Sequence, residues 1–172
     1  MTDIELARKM RELNAAIREL DTSSALSLLD ERLSIEIDSL FATEMKITKA
    51  KLLPSLGRWR EAVELLDECS KYSGGDESAA YFAAEILVES GCLSEAVPFL
   101  ERAESQIERS GSTYYSNCIY LLHAFCKAKA AQVVIATRLL DQVTDEESSL
   151  FWLRTDPVIS VETVRGLIAH GS

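Results

Sequence analysis

Proline occurs three times and glycine seven times in 172 residues, so the chain has little of the punctuation that a β-rich fold needs between strands. That scarcity suits about ten helices joined by short loops. No apolar run approaches the roughly 20 residues that span a bilayer. The stretch from Met1 to Leu20 mixes Asp3, Glu5, Arg8, Lys9, Arg11 and Glu12 with its apolar residues, and so has no hydrophobic signal core. Positive charge is in deficit: 18 basic residues against 28 acidic ones leave a formal charge of −10, which repels phosphate backbones and anionic lipid alike. Nucleic acid and membrane are therefore not expected as partners, and the expected location is the cytoplasm. Cysteine is sparse, and Cys69, Cys92, Cys118 and Cys126 form no CxxC pair. Cys118 and Cys126 would lie roughly 12 Å apart along one helix, beyond disulfide reach. All four read as small buried apolar residues in a reducing compartment.

What the chain does have is one phrase written four times. Ala25 precedes Leu28 and Leu29, Ala62 precedes Leu65 and Leu66, Ala96 precedes Phe99 and Leu100, and Ala136 precedes Leu139 and Leu140. Each copy puts a small residue three and four places ahead of a bulky pair, on one helix face. The copies recur 37, 34 and 40 residues apart, the period of a stacked helical-hairpin array. The central copies share a register: Leu56 and Gly57 end a helix, Arg58 to Arg60 turn, and Glu61 to Tyr72 form the next helix. Gly91 follows Gly57 by 34 residues, with Leu93, Glu95 and Ala96 where Trp59, Glu61 and Ala62 stood.

In this register the chain resembles the tetratricopeptide repeat family, in small bacterial-type form. That family's 34-residue unit carries small residues at its eighth and twentieth places, a glycine near the fifteenth and an aromatic near the seventeenth. Ala50, Ala62, Gly57 and Trp59 take those places, with Leu66 and Cys69 after them. Ala84, Ala96, Gly91 and Leu93 follow in the next unit, with Leu100 and Ala103. The match covers roughly Thr43 to Glu108. The resemblance implies an all-α fold, a right-handed α–α superhelix of about four hairpins closed by a capping helix. The chain is expected to be a single domain over residues 1–172, with units near 6–40, 43–73, 77–109 and 113–144 and a cap over 147–169.

The outer units depart from the pattern. Leu13 and Leu20 stand where Ala and Gly are usual, and the second helix of the first unit is expected from about Ser23 to Leu40. Before the fourth unit the extra residues fall between Ser105 and Ser116, where Gly111 reads as a helix stop. Asp156 and Pro157 read as the cap and first residue of a closing helix through Ile168, with Val158, Val161, Val164, Leu167 and Ile168 on its inner face. Pro54 should end or bend its helix one turn early. Pro98 should fall in the first turn after a Ser94 cap.

Catalytic constellations are thin. Cys126 and His123 lie one helical turn apart, but a nucleophile needs its base held by a third group and an oxyanion site beside it. As metal ligands the same pair falls short of the three or four that zinc requires. Glu61, Glu64, Asp67 and Glu68 trace the wet side of one helix. Gly74 and Gly75 lack the Lys and Ser or Thr of a phosphate loop and read as a linker. The expectation is of no enzyme, no catalytic residue, no metal and no cofactor.

In tetratricopeptide arrays the first helix of each hairpin lines a concave groove that takes a peptide or helix. The resemblance assigns that role to Met10, Asn14 and Ile17, then Ile47, Lys51 and Ser55, then Tyr81, Glu85 and Val88, then Leu121, Phe125 and Lys129. The partner-binding set is Asn14, Ile47, Lys51, Tyr81, Glu85, Phe125 and Lys129. With only Asn14, Lys51 and Lys129 able to grip a terminal carboxylate, an apolar or amphipathic segment is the expected ligand. The expected function is a non-catalytic protein-binding module, serving as chaperone, adaptor or toxin-neutralising immunity protein. The alternative is a self-associating scaffold, a homodimer through an end face carrying Phe151, Trp152 and Val158. If the shared register is correct, Ala62→Leu or Ala96→Leu overpacks a close helix contact; each variant should lose about 1–3 kcal/mol in urea unfolding, and near-neutral melts for both would refute the register.

Overall fold

Three of the chain's turns are built from the same two backbone hydrogen bonds. At the first, Gly57 N–H donates to the Pro54 carbonyl (2.9 Å) and Arg58 N–H to that of Leu53 (3.1 Å). At the second, Gly91 donates to Val88 (3.0 Å) and Cys92 to Leu87 (2.8 Å). At the third, Ala131 donates to Ala128 (3.0 Å) and Gln132 to Lys127 (2.9 Å). This paired closure is the Schellman motif, which needs a left-handed residue at the turn. Gly57 (φ 74°) and Gly91 (φ 76°) supply it freely, and Ala131 adopts it at φ 56° against the steric preference of a side chain. One residue later the chain re-enters a helix, and the carbonyls of Arg58, Cys92 and Gln132 accept from Ala62, Ala96 and Ala136. All three alanines are completely buried, as the repeated phrase requires.

The computed structural model describes residues 2–71, 77–112, 114–145, 148–150, 152–156 and 158–170. Tyr72, the Gly74–Gly75 linker, Glu147, Phe151 and Pro157 lie outside the described residues. The chain groups into two compact units, 1–74 and 75–172.

In the first unit, α1 (Asp3–Arg18), α2 (Thr22–Ile35) and α3 (Ser39–Leu52) gather around Leu13, Leu29, Phe41 and Met45, with Met10, Ile17 and Leu33 packed against them. Asp21 caps α2 by accepting from Ser24 N–H (3.0 Å), and Asp38 caps α3 by accepting from Leu40 and Phe41 (3.0 Å each). These backbone donors hold both carboxyls below the ordinary aspartate value. The helix expected from Ser23 to Leu40 therefore ends at Ile35. The Glu36 carboxylate takes the N–H groups of Ile37 (3.1 Å) and Asp38 (2.9 Å), which breaks the run and leaves Ile37 97% exposed.

Pro54 acts as its chemistry demands. It converts the end of α3 into a 3₁₀ turn, Leu53–Leu56, before α4 (Trp59–Ser70) packs back on α3. The turn expected over Arg58 to Arg60 is shorter, since α4 already begins at Trp59.

The second unit holds two hairpins, α5 (Ser78–Glu89) with α6 (Leu93–Ser110) and α7 (Ser116–Lys129) with α8 (Val133–Leu140), and α6 packs on α7. Ala80, Ala83 and Ala84 of α5 are fully buried, as are Leu121, Leu122 and Ala124 of α7. Because α6 begins at Leu93, Ser94 lies inside the helix and is not its cap. Pro98 thus sits in the second turn, where it withholds the donor that the Ser94 carbonyl would receive. Gly111 (φ 69°) ends α6 as expected, its N–H donating to Ile107 (2.8 Å).

Past α8 the chain forms a loop closed by one antiparallel bridge between Ser149 and Ser160. Leu150 N–H donates to Ile159 (2.7 Å) and Val161 N–H to Ser148 (3.3 Å). The closing helix, α9 (Val161–His170), starts later than Asp156 and Pro157 suggest, because Ser160 Oγ accepts from Thr163 N–H (3.1 Å) in the manner of a cap. Val161 and Val164 are buried where α9 meets α7 and α8, whereas Val158 precedes the helix and is half-exposed.

The strained third turn yields a prediction. Ala131→Gly should raise stability by about 0.5–1 kcal/mol in urea unfolding, by relieving the left-handed conformation, while Gly57→Ala and Gly91→Ala should lower it by a similar amount.

Candidate functional site

Counting back from the left-handed turn residue places the first-helix positions on one scale. Ten residues before it stand Ile47, Tyr81 and Leu121, all buried. Six before it stand Lys51, exposed, Glu85, half-buried, and Phe125, buried. Two before it stand Ser55, Glu89 and Lys129, all exposed. Of the seven residues assigned from the sequence, the structure buries Ile47, Tyr81 and Phe125. It leaves Asn14, Lys51 and Lys129 at the surface and Glu85 between.

Within the first unit, Ile47 belongs to the interior of α3, and Asn14 and Lys51 are wet. A cleft of about 320 Å³ there, between α1, α2 and Phe41, carries Arg8, Lys9 and Arg32 among its lining residues, with Glu12 and Glu36.

In the second unit the assigned residues meet other groups. The Tyr81 ring packs against Phe82 (5.6 Å between centroids) and Tyr115 (5.1 Å). Burial raises its phenol far above the usual tyrosine range, with the Glu85 charge adding to the effect, so the hydroxyl stays protonated. The Lys129 ammonium stands 5.6 Å over the Phe125 ring.

The loop after α8 bears on α5, the helix of Tyr81 and Glu85. Trp152 Nε1–H donates to Glu85 Oε1 (2.7 Å), and the Arg154 backbone N–H donates to Glu89 Oε1 (2.8 Å). Glu85 and Glu89 are four residues apart and so share a face of α5. Leu150, Leu153 and Ile159 are buried, and the Trp152 side chain remains 46% exposed. Three buried aliphatic side chains, at about 1.5–3 kcal/mol each, outweigh two solvent-exposed hydrogen bonds, each worth about 1 kcal/mol or less. Apolar burial holds the loop down, and the two carboxylates accept hydrogen bonds from its exposed edge. Glu89 and the loop on Glu85 escaped the sequence reading. The signal for Glu89 was its one-turn spacing from Glu85, whereas nothing local to residues 148–156 specifies which helix they meet.

The Cys–His pair offers little chemistry. His123 is 3% exposed, its Nδ1 lies 2.5 Å from Glu104 Oε1, and its Nε2 is buried with no hydrogen-bond partner among the described residues. Desolvation pushes the Cys126 thiol up to about 12 and that of Cys69 up to about 11, so both stay protonated at neutral pH. All four cysteines are free, but Cys92 and Cys118 are half-buried, which corrects the expectation that all four are core. The acids of α4 are solvent-facing or half-buried, with Glu61 paired to Arg58 (2.7 Å) and Glu68 to Lys46 (3.5 Å). Among the described residues no three His, Cys, Asp or Glu side chains cluster at metal-binding distance, and no helix is long and apolar enough to cross a membrane. The cysteine environments predict an order of labelling: in the native protein a thiol reagent should modify Cys92 and Cys118 first, and Cys69 and Cys126 only on unfolding, as read by peptide mass mapping.

No family model matches the chain, and no curated protein sequence matches it. Among solved structures it is similar to a MamA RS-1 ArsTM double mutant, at a TM-score of 0.63 and 17% sequence identity, with 99% of this chain and 96% of that chain covered. MamA is a tetratricopeptide-repeat protein. At that identity the likeness speaks for architecture: the chain has an all-α fold of the tetratricopeptide-like helical-hairpin kind.

Proposed function

We propose that the protein is a non-catalytic module that binds a partner polypeptide on the faces of its first-in-hairpin helices. The observation that carries this reading is the α5 face, which already holds a stretch of polypeptide through an indole N–H on Glu85 and a backbone N–H on Glu89. A surface able to order one segment of chain by two carboxylates has the chemistry to order another. Asn14 and Lys51 in the first unit, and Glu85 and Lys129 in the second, are the proposed polar contacts, with Ile47, Tyr81 and Phe125 shaping the helices from beneath. The tetratricopeptide-like fold supports protein partners in general. Within that class, chaperone, adaptor and toxin-neutralising immunity protein are the roles proposed, and the net charge of −10 favours a basic partner.

Self-association is the second reading, favoured by the half-exposed Trp152 and Val158 near the C-terminus. One experiment addresses both. Tagged wild-type protein, recovered from its native cell at moderate salt, should bring down a discrete polypeptide, and Glu85→Lys should weaken that recovery roughly three- to tenfold. Recovery of no partner, together with turnover of a small substrate by the purified protein, would overturn the proposal. Light scattering of the same preparation at tens of micromolar disposes of self-association if only monomer is seen.

A further inference from the structure

We propose that the cleft between α1 and α2 is a binding site for a small amphipathic anion, a carboxylate carried on an apolar tail. The site lies within the first unit and shares no lining residue with the polypeptide contacts proposed above, so it stands apart from that reading. The cleft exists because the first hairpin is built differently from the others. The helices of the pairs α3–α4, α5–α6 and α7–α8 pack on each other, whereas α1 and α2 each pack on α3. A gap of about 320 Å³ is left between them. Lys9, Glu12, Leu13 and Ala16 line it from one face of α1, and Leu28, Arg32 and Ile35 from one face of α2. The buried Leu13 and Phe41 give it an apolar floor. Ala16 contributes only a methyl group where a longer side chain would fill the space, and Ile35 stays 71% exposed at the edge.

Charge decides what such a cleft takes. In a chain of net charge −10, its charged lining groups are three cations, Arg8, Lys9 and Arg32, against two carboxylates, Glu12 and Glu36. Both carboxylates are already engaged. Glu12 accepts from the Arg8 guanidinium (2.7 Å), and Glu36 pairs with Lys9 (3.7 Å) while taking the N–H groups of Ile37 and Asp38. The Lys9 ammonium also stands 4.8 Å from the centroid of the Phe41 ring. Arg32 is the cation left over: its guanidinium makes no ion pair or hydrogen bond among the described residues, and it lies one turn from both Leu28 and Ile35. A planar guanidinium fork matches a carboxylate, and the apolar floor takes the tail. A wholly apolar ligand would leave the fork unused, and an inorganic anion would leave the floor wet. The volume is at the low end for small-molecule sites, which suits one short acyl chain.

The test titrates octanoate, with octanol as its uncharged counterpart, into isotope-labelled full-length protein and follows the backbone amides by NMR. Octanoate should saturate with a midpoint at or below about 1 mM, moving the amides of Leu13, Leu28, Arg32 and Phe41 and sparing those of α7 and α8. Octanol on wild type, and octanoate on Arg32→Gln, should each bind about three- to fivefold more weakly, the scale of one exposed ion pair. Ala16→Phe, which fills the cleft from a surface position, should weaken octanoate at least about tenfold. Arg32→Gln keeps the test decisive should Ala16→Phe perturb the fold. Shifts that spread over the whole chain without saturating, equal affinity for octanoate and octanol, or binding undiminished by Arg32→Gln would overturn the proposal. So would the absence of octanoate binding alongside a captured polypeptide whose recovery falls with Arg32→Gln, which gives the cleft to that polypeptide.

Discussion

A helix cannot double back on itself without leaving its last carbonyls unsatisfied, and this chain meets that constraint the same way three times. Two backbone N–H groups fold over a left-handed residue and satisfy the carbonyls at the helix end, after which the next helix starts at once and drives an alanine into the junction. The alanine has only a methyl group to hold the helices apart, so the hairpin closes fully: Ala62, Ala96 and Ala136 have no exposed surface. The first hairpin shows what replaces this device when it is missing. Without a left-handed residue among the described ones, α2 is started by the Asp21 carboxylate instead, and Ala25 N–H still donates to the Asp21 carbonyl (2.9 Å), so the buried alanine keeps its place by a different cap.

Once the hairpins are closed, the exposure of each first helix follows from its distance to the turn. Positions ten residues before the turn face inward at Ile47, Tyr81 and Leu121, and those two residues before it face water at Ser55, Glu89 and Lys129. The position between is where the helices differ, a lysine in one, a glutamate in the next and a phenylalanine in the last. On α5 this pattern yields two carboxylates one turn apart above a buried tyrosine, and the loop after α8 uses both. Chemical reactivity recedes for the same reason that packing succeeds. The cysteines closest to the hairpin cores are desolvated into neutral thiols, and the one buried histidine is tied to Glu104.

Much of this was legible in the residues. The spacing of Gly57, Gly91 and the alanines that follow them places hairpins correctly, because a left-handed turn and a close helix contact each tolerate very few side chains. Pro54 and Gly111 announce helix ends for equally local reasons. The errors fall where two short-range signals compete. Residues 23 to 40 contain apolar spacing compatible with one long helix, and only the reach of the Glu36 and Asp38 carboxylates to nearby N–H groups breaks it. Ser94 looks like a cap by composition, yet the Schellman turn before it has already started the helix. Asp156 likewise looks like a cap, but the bridge between Ser149 and Ser160 holds Ser160 outside the helix, which starts at Val161 with Ser160 capping it.

The amino-acid order alone determined the class of fold and the positions of the closures, since both depend on interactions within a few residues, where backbone sterics and hydrogen-bond satisfaction leave little choice. Tertiary structure decided which first-helix side chains meet water and what lies upon them. That Ile47, Tyr81 and Phe125 are interior, and that Trp152 reaches a carboxylate 67 residues earlier, follows from packing between elements remote in the chain. Burial is a property of neighbours that no local spacing names.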